Sequence, residues 1–298
     1  MMTKKLFALA VLSLSITWGH VYAQDLMDML GDDKPKTEFT YATFKTTRIV
    51  NGQSIENPAS GNLLFMISHH FGAVNSGAYN FFGLDQSTIR LGLDYGVNDY
   101  LSVGIGRSSW LKTYDASFKL KILRQSSGER TMPVSLSLYS SIALESYKQD
   151  PTRKNYFTSR LAFTNQLLIA RKFSNDLSLQ LTPTFIHKNL VHTAVSQNDI
   201  YSVGLGGRYK LTKRLSLNAE YFYLLPGNTA DTYVNSFSVG IDIETGGHVF
   251  QLHFTNAQPM FDRAFITETT GKWTKGDIFF GFNISRIFTI KKPKGFKS

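Results

Sequence analysis

From Asn62 onward the chain alternates apolar and polar residues one by one, in stretches of about ten. Ile89, Leu91, Leu93 and Tyr95 share one phase, and Arg90, Gly92 and Asp94 the other. Tyr201, Val203, Leu205, Tyr209 and Leu211 oppose Ser202, Gly204, Gly206, Arg208 and Lys210 in the same way, and Leu215, Leu217, Ala219, Tyr221 and Tyr223 oppose Ser216, Asn218 and Glu220. A period of two sends the two sets to opposite faces of a strand. Strands are predicted over 62–71, 86–96, 100–110, 113–124, 133–144, 157–173, 177–187, 198–211, 215–225, 235–245, 248–256 and 277–290.

The links between them alternate in length. Short ones read Val97-Asn98-Asp99, Ser174-Asn175-Asp176, Thr212-Lys213-Arg214 and Gly246-Gly247; long ones run over 72–85, 145–156, 188–198, 226–234 and 257–276. Up-and-down strands with tight turns at one end and long loops at the other are the pattern of an outer-membrane barrel. The fold class expected is all-β: a transmembrane antiparallel up-and-down β-barrel of about 12 strands, within a range of 10–14. An even count puts both barrel ends on one side of the membrane. Fourteen strands would result if Ala264-Phe265-Ile266 formed one.

Parity tests the scheme, because a one-residue slip moves every side chain to the wrong face. Pairing Phe173 with Leu177 and Leu211 with Leu215 keeps apolar residues together, and a two-residue Gly246-Gly247 turn pairs Ile243 with Phe250 and Ile241 with Leu252. Asn165 falls in the lipid phase with Phe163 and Leu167, which suggests a bulge. Arg107 and Arg286 share that phase near strand ends, where a charge costs about 0–1 kcal/mol.

Four divisions follow. Lys4 and Lys5, the apolar run from Leu6 to Ile16 and Val21-Tyr22-Ala23 make residues 1–23 a secretory signal. Residues 24–60 read as a periplasmic N-terminal extension in which Phe44 to Val50 enters the lumen or adds to an edge; 61–290 is the barrel and 291–298 a basic tail. No apolar run reaches 18 residues, so no membrane helix competes. Mean hydropathy is only −0.14, as it is when half of each strand faces a wet interior. Cysteine is absent, which excludes disulfides, and the net charge of +10 is spread singly except at Lys291, Lys292, Lys294 and Lys297, a distribution that argues against nucleic acid.

Several blocks look familiar together: Asn80-Phe81-Phe82-Gly83-Leu84-Asp85-Gln86, Asn155-Tyr156-Phe157-Thr158-Ser159-Arg160-Leu161, Gly207-Arg208-Tyr209-Lys210-Leu211, Glu244-Thr245-Gly246-Gly247-His248-Val249-Phe250-Gln251-Leu252-His253-Phe254-Thr255-Asn256 and Phe265-Ile266-Thr267-Glu268-Thr269-Thr270-Gly271. With them the chain resembles an uncharacterised family of secreted bacterial β-barrel proteins, a domain of unknown function. The resemblance covers most of residues 40–290 and implies a barrel in the outer membrane; it carries no ligand, cofactor or catalytic residue.

Candidate chemistry sits on the inward phase: Arg90, Asp94, Lys119, Lys121, Arg160, Arg208, Lys210, Glu220, Asp242, Glu244 and His253. Arg208 lies diagonal to Glu220, within reach of a charge pair, and Arg90, Glu220 and His253 are placed opposite Gly106, Gly206 and Gly240. Two readings stay open: a salt-bridge network that holds the barrel shut, or a solute path lined by the same groups. Tyr79, Phe81 and Phe82 in the first long loop, with Phe261, Phe265 and Trp273 in the last, either pack inward or form an aromatic platform. His187 and His192 straddle a loop with no carboxylate beside them, and no metal site or cofactor is predicted. His253 and Asn256 would suit a barrel-wall lipid-modifying enzyme, yet no serine is fixed next to them.

The functional expectation is a narrow porin-like channel or transporter for a small hydrophilic solute, with a non-conducting anchor or scaffold for a partner as the alternative. The partners expected are outer-membrane lipid and the barrel assembly machinery, reached through the last strand, Phe280-x-Phe282-x-Ile284-x-Arg286-x-Phe288-x-Ile290.

Overall fold

The computed structural model describes residues 36–292 apart from 149–153, 155, 192–194, 228, 230 and 231. The expected leader, most of the basic tail and His192 lie outside the described residues.

Twelve strands close into one ring: β1 (Asn62–Ala73), β2 (Ser87–Gly96), β3 (Leu101–Ser108), β4 (Tyr114–Leu123), β5 (Ser135–Leu144), β6 (Leu161–Lys172), β7 (Leu177–Lys188), β8 (Asp199–Lys210), β9 (Leu215–Leu224), β10 (Ser236–Thr245), β11 (His248–Thr255) and β12 (Phe279–Thr289). Each pairs antiparallel with its chain neighbours, and β12 returns to β1, so no edge remains open. None of the described helices is long and apolar enough to cross a membrane. Leu91, Ile105, Leu205 and Leu252 all project from the outer wall. An apolar belt of that extent needs lipid as its solvent. The fold is a transmembrane antiparallel β-barrel.

The turns obey parity. Phe173 and Leu211 bond across three-residue links to Leu177 and Leu215, and the Gly246-Gly247 turn sets Ile243 opposite Phe250 and Ile241 opposite Leu252. The link oxygens Oδ1 of Asn98, Oγ of Ser174 and Oγ1 of Thr212 accept backbone N–H groups and pin three of these turns.

Asn165 is not re-aimed by a bulge. Its strand runs in unbroken register against β5, and its amide oxygen accepts the hydroxyl of Ser140, its cross-strand neighbour, at 2.8 Å. Two polar groups on the lipid face thus satisfy each other. Arg107 and Arg286 lay their guanidinium groups over the rings of Tyr114 and Phe288, at 5.5 and 4.9 Å from the ring centres.

The last long loop corrects the fourteen-strand option. Asp262–Thr267 is a short α-helix, α1, and each of its residues is buried. At the short-turn rim, Glu38–Phe39 pairs with Ser126–Ser127 outside the ring. From there the chain turns into the barrel.

Candidate functional site

The lumen is occupied from both ends. Nearly every residue from Thr43 to Ile55 is buried inside the ring. The segment doubles back on itself: Ile49 N–H bonds Gly52 O at 2.8 Å, Ser54 N–H bonds Thr47 O at 2.9 Å, and Arg48 bridges to Gln53. No strand of the ring pairs with it. Its backbone groups are met instead by side chains of the wall, as buried amides must be.

Donors of the wall take the carbonyls. Arg208 Nη1 donates to Ala42 O and Thr43 O at 2.9 and 3.1 Å, and Lys119 Nζ to Ser54 O and Glu56 O at 2.8 and 3.0 Å. Gln251 reaches Ile49 O at 3.0 Å, Asn283 reaches Val50 O at 2.9 Å and Gln180 reaches Gln53 O at 2.7 Å. One carboxylate gathers the opposite pole: Glu220 accepts the N–H groups of Val50, Asn51 and Gly52 at 3.1, 2.8 and 3.0 Å. Lys45 pairs with Glu244 nearer the rim. Apolar side chains fill the rest, with Phe44, Ile49, Val50 and Ile55 packed on Tyr139, Leu168 and Ala170. Gly206 leaves the gap that the tip of Ile49 fills, and a Cβ there would strike it.

From the other rim the 256–271 loop descends. Phe265 and Ile266 of α1 pack on Ile186, Ile200, Phe222 and Leu224, with Phe265 edge-on to Phe222 at 5.1 Å. Arg263, Glu145, Glu268 and Lys188 link up at 2.7–3.1 Å and tie this loop to the rim. His70 and His253 meet beneath it, Nε2 to Nε2 at 2.8 Å, with His70 Nδ1 on Gln258 O at 3.0 Å. A carbonyl only accepts, so His70 carries its proton on Nδ1 and His253 donates from Nε2.

The two insertions touch through Asp262. Its carboxylate accepts Tyr139 Oη at 2.9 Å and Gln53 Nε2 at 3.1 Å, and pairs with Arg48 at 3.4 Å. Cavities beside this closure include one of about 10 Å³ at Lys119, Asp94 and Tyr139, and one of about 320 Å³ at the short-turn rim at Lys121, Glu56 and Arg124.

The inward residues predicted from phase therefore fall into groups. Lys119, Arg208, Glu220 and Glu244 grip the N-terminal segment, and Asp94 accepts Thr47 Oγ1 at 3.1 Å. Arg208 does not pair with Glu220, because each turns to that segment instead. Arg90 stands opposite Ser108 rather than Gly106; its guanidinium crosses Gly106 to a two-pronged bond with Asp115 at 3.0 and 2.5 Å. Asp242 holds Gln251 at 2.9 Å. Lys121 and Lys210 are half-buried near the short-turn rim. Arg160 is not on the wall but in the 3-10 turn before β6, at the other rim.

The loop aromatics divide. Phe261 and Phe265 are buried in the lumen, Trp273 lies against Phe237 and donates Nε1–H to its carbonyl at 3.1 Å, while Tyr79, Phe81 and Phe82 stay exposed. His187 does have a carboxylate beside it, Asp199 at 2.6 Å across the strands. His253 is engaged by His70, and Asn256 is spent on the backbone of Phe237, Asn235 and Gly271. Charge-based reading missed Gln180, Gln251, Asn283, Tyr139, His70 and Asp262. The first five share the inward phase of their strands, and that phase was the available signal.

A family model described as a membrane bound beta barrel domain (DUF5777) matches residues 44–288. The chain belongs to this family. The match begins at Phe44, inside the lumen, so the family pattern takes in the inserted segment as well as the twelve strands. Solved structures similar to the chain include the NanC porin (6% identity, TM-score 0.47, covering 76% of this chain and 98% of that one). An outer membrane channel from Pseudomonas putida F1 is 14% identical with a TM-score of 0.47, covering 78% and 97%. The KdgM porin is 11% identical with a TM-score of 0.43, covering 77% and 99%. At that degree of likeness no substrate or activity passes to this family member. No curated protein matches the sequence.

Proposed function

We propose that the protein is an outer-membrane channel for small hydrophilic solutes, closed at rest by residues 42–57 from the short-turn rim and by the 256–271 loop from the other. Withdrawal of residues 42–57, which frees the loop from its Asp262 contacts with Arg48 and Gln53, lets both leave and opens a polar path. The observation that carries this is how the segment is held. No barrel ladder includes it, so its departure breaks no strand pairing. What it would leave behind is a column of Arg208, Lys119, Gln180, Gln251, Asn283 and Glu220, a lining suited to water and polar solutes. His253 and Asn256 are committed to structural bonds, which supports a non-enzymatic role.

The completeness of the closure favours the second reading, a non-conducting anchor. Planar-bilayer recording separates the two. A Cβ at Gly52 would lie 2.9 Å from the Phe222 ring and 3.1 Å from the Glu220 carboxylate, so the bulkier Gly52→Val is expected to press the segment out with every wall residue kept. The channel reading expects rare brief openings from the unaltered protein and long-lived ones from Gly52→Val. Correctly inserted barrels of both forms that never pass current would establish the anchor.

A further inference from the structure

The two insertions satisfy their backbones in different ways. Helix α1 is largely self-sufficient: Phe265 N–H bonds Phe261 O at 3.1 Å and Glu268 N–H bonds Ala264 O at 2.9 Å. Residues 42–56 instead give their carbonyls to side-chain donors of the wall and three consecutive N–H groups to Glu220. The wall thus sets its donors and its acceptor on different strands around the segment, with Gln251 and Asn283 facing its carbonyls and Glu220 its N–H groups. That segregation matches an amide chain, which offers C=O and N–H as distinct, fixed groups. A sugar hydroxyl donates or accepts as needed and would call for no such sorting. The apolar seats at Tyr139, Leu168 and Phe222 add room for side chains between the polar contacts.

We propose that the vacated lumen is a binding site for the main chain of a peptide folded back on itself, and that residues 42–56 are its built-in stand-in. This rests on the reading that the segment withdraws, and it names the solute class. Because most contacts are to the backbone, the wall restricts side chains chiefly at three places, where Ile49, Val50 and Gly52 now sit. Gln180, Gln251, Asn283, Lys119 and Glu220 hold the peptide in the register that the chain's own segment now occupies.

The test uses the full-length Gly52→Val protein in detergent, with Val50→Asp as a second variant that unseats the segment by placing a charge in its apolar seat, and circular dichroism to verify the folded barrel. The probes are a synthetic peptide of residues 42–56, a peptide of the same composition scrambled except at Ile49, Val50 and Gly52, and maltotriose, each titrated by calorimetry. The variants bind both peptides within about threefold of each other and at least about tenfold more tightly than the unaltered protein, whose site is filled. Adding Gln180→Leu and Gln251→Leu weakens peptide binding about tenfold or more, from the loss of two hydrogen bonds. Absence of peptide binding in both folded variants, binding of the unscrambled peptide alone, or equal binding of maltotriose overturns the inference. Conductance of the same variants is read separately. Current without peptide binding removes the peptide site and leaves the channel; peptide binding without current keeps the site and removes the channel.

Discussion

Replacing Glu220 by Gln tests the grip on the inserted segment at its tightest point. The carboxylate accepts three backbone N–H groups, from Val50, Asn51 and Gly52, in a fully enclosed position. A glutamine amide keeps the shape but presents one oxygen, and its NH2 is turned toward a backbone donor. At least one of the three bonds is therefore replaced by two opposed donors. A hydrogen bond to a charged acceptor contributes about 1.5–3 kcal/mol, and an unmet buried donor costs a similar amount. A net shift of roughly 2–3 kcal/mol toward release corresponds to a rise of roughly 30- to 160-fold in the withdrawn population. The native chain holds no cysteine, so a single Val50→Cys reports cleanly. Val50 is sealed, and its thiol reacts with a maleimide only while the segment is out. The labelling rate in proteoliposomes is expected to rise thirtyfold or more when Glu220→Gln is added, with β-sheet content unchanged. An unchanged rate in a folded barrel would refute the reasoning that this carboxylate holds a removable segment.

Three further outcomes follow from the same geometry. Asp262→Asn and Arg48→Gln, each alone, raise Val50→Cys labelling, and their double-mutant cycle gives a coupling of about 1–3 kcal/mol, because the bridge joins the two insertions; strict additivity would show that the pair does not couple them. Arg90→Ala leaves Asp115 buried without its two-pronged partner and lowers barrel stability in urea by about 3–5 kcal/mol, while Arg90→Ala with Asp115→Ala recovers most of that loss; a single variant as stable as the parent contradicts this. Asn165→Leu combined with Ser140→Ala removes two mutually bonded polar groups from the lipid face and raises stability by about 1–2 kcal/mol in the same assay; a loss would show that the bond matters beyond satisfying its own atoms.

The barrel was legible because a period of two admits few errors once one face must meet lipid. Leu211 with Leu215 and the Gly246-Gly247 turn could be paired from parity alone, and the structure has those pairs. The lumen was harder. Phase names which side chains point inward, but not what they point at, so Arg208 and Glu220 were set against each other when both face residues 42–52. Ring closure brings residues more than 160 positions apart into contact, and no local pattern encodes that meeting. A clue was nonetheless present. Ile186, Ile200, Phe222 and Leu224 are apolar residues in the inward phase, where a wet lumen has no use for them. Phe265 and Ile266, with Met260, Phe261 and Ala264, are apolar residues of a long loop that no strand phase turns to lipid. Together these imply a loop folded into the ring. Ala264-Phe265-Ile266 suggested a strand only because three apolar residues cannot distinguish a short helix from a strand.

A reversible cross-link measures the central claim most directly, since the ring surrounds a segment that leaves without disturbing it. Ile49→Cys with Gly206→Cys places two thiols where a leucine-sized side chain now rests against bare backbone. In the full-length protein in membranes, mild oxidation should join them without a change in β-sheet content, abolish all current across a bilayer, and give it back on reduction. Failure of the thiols to join, or identical current before and after reduction, would mean that residues 42–57 do not close the lumen.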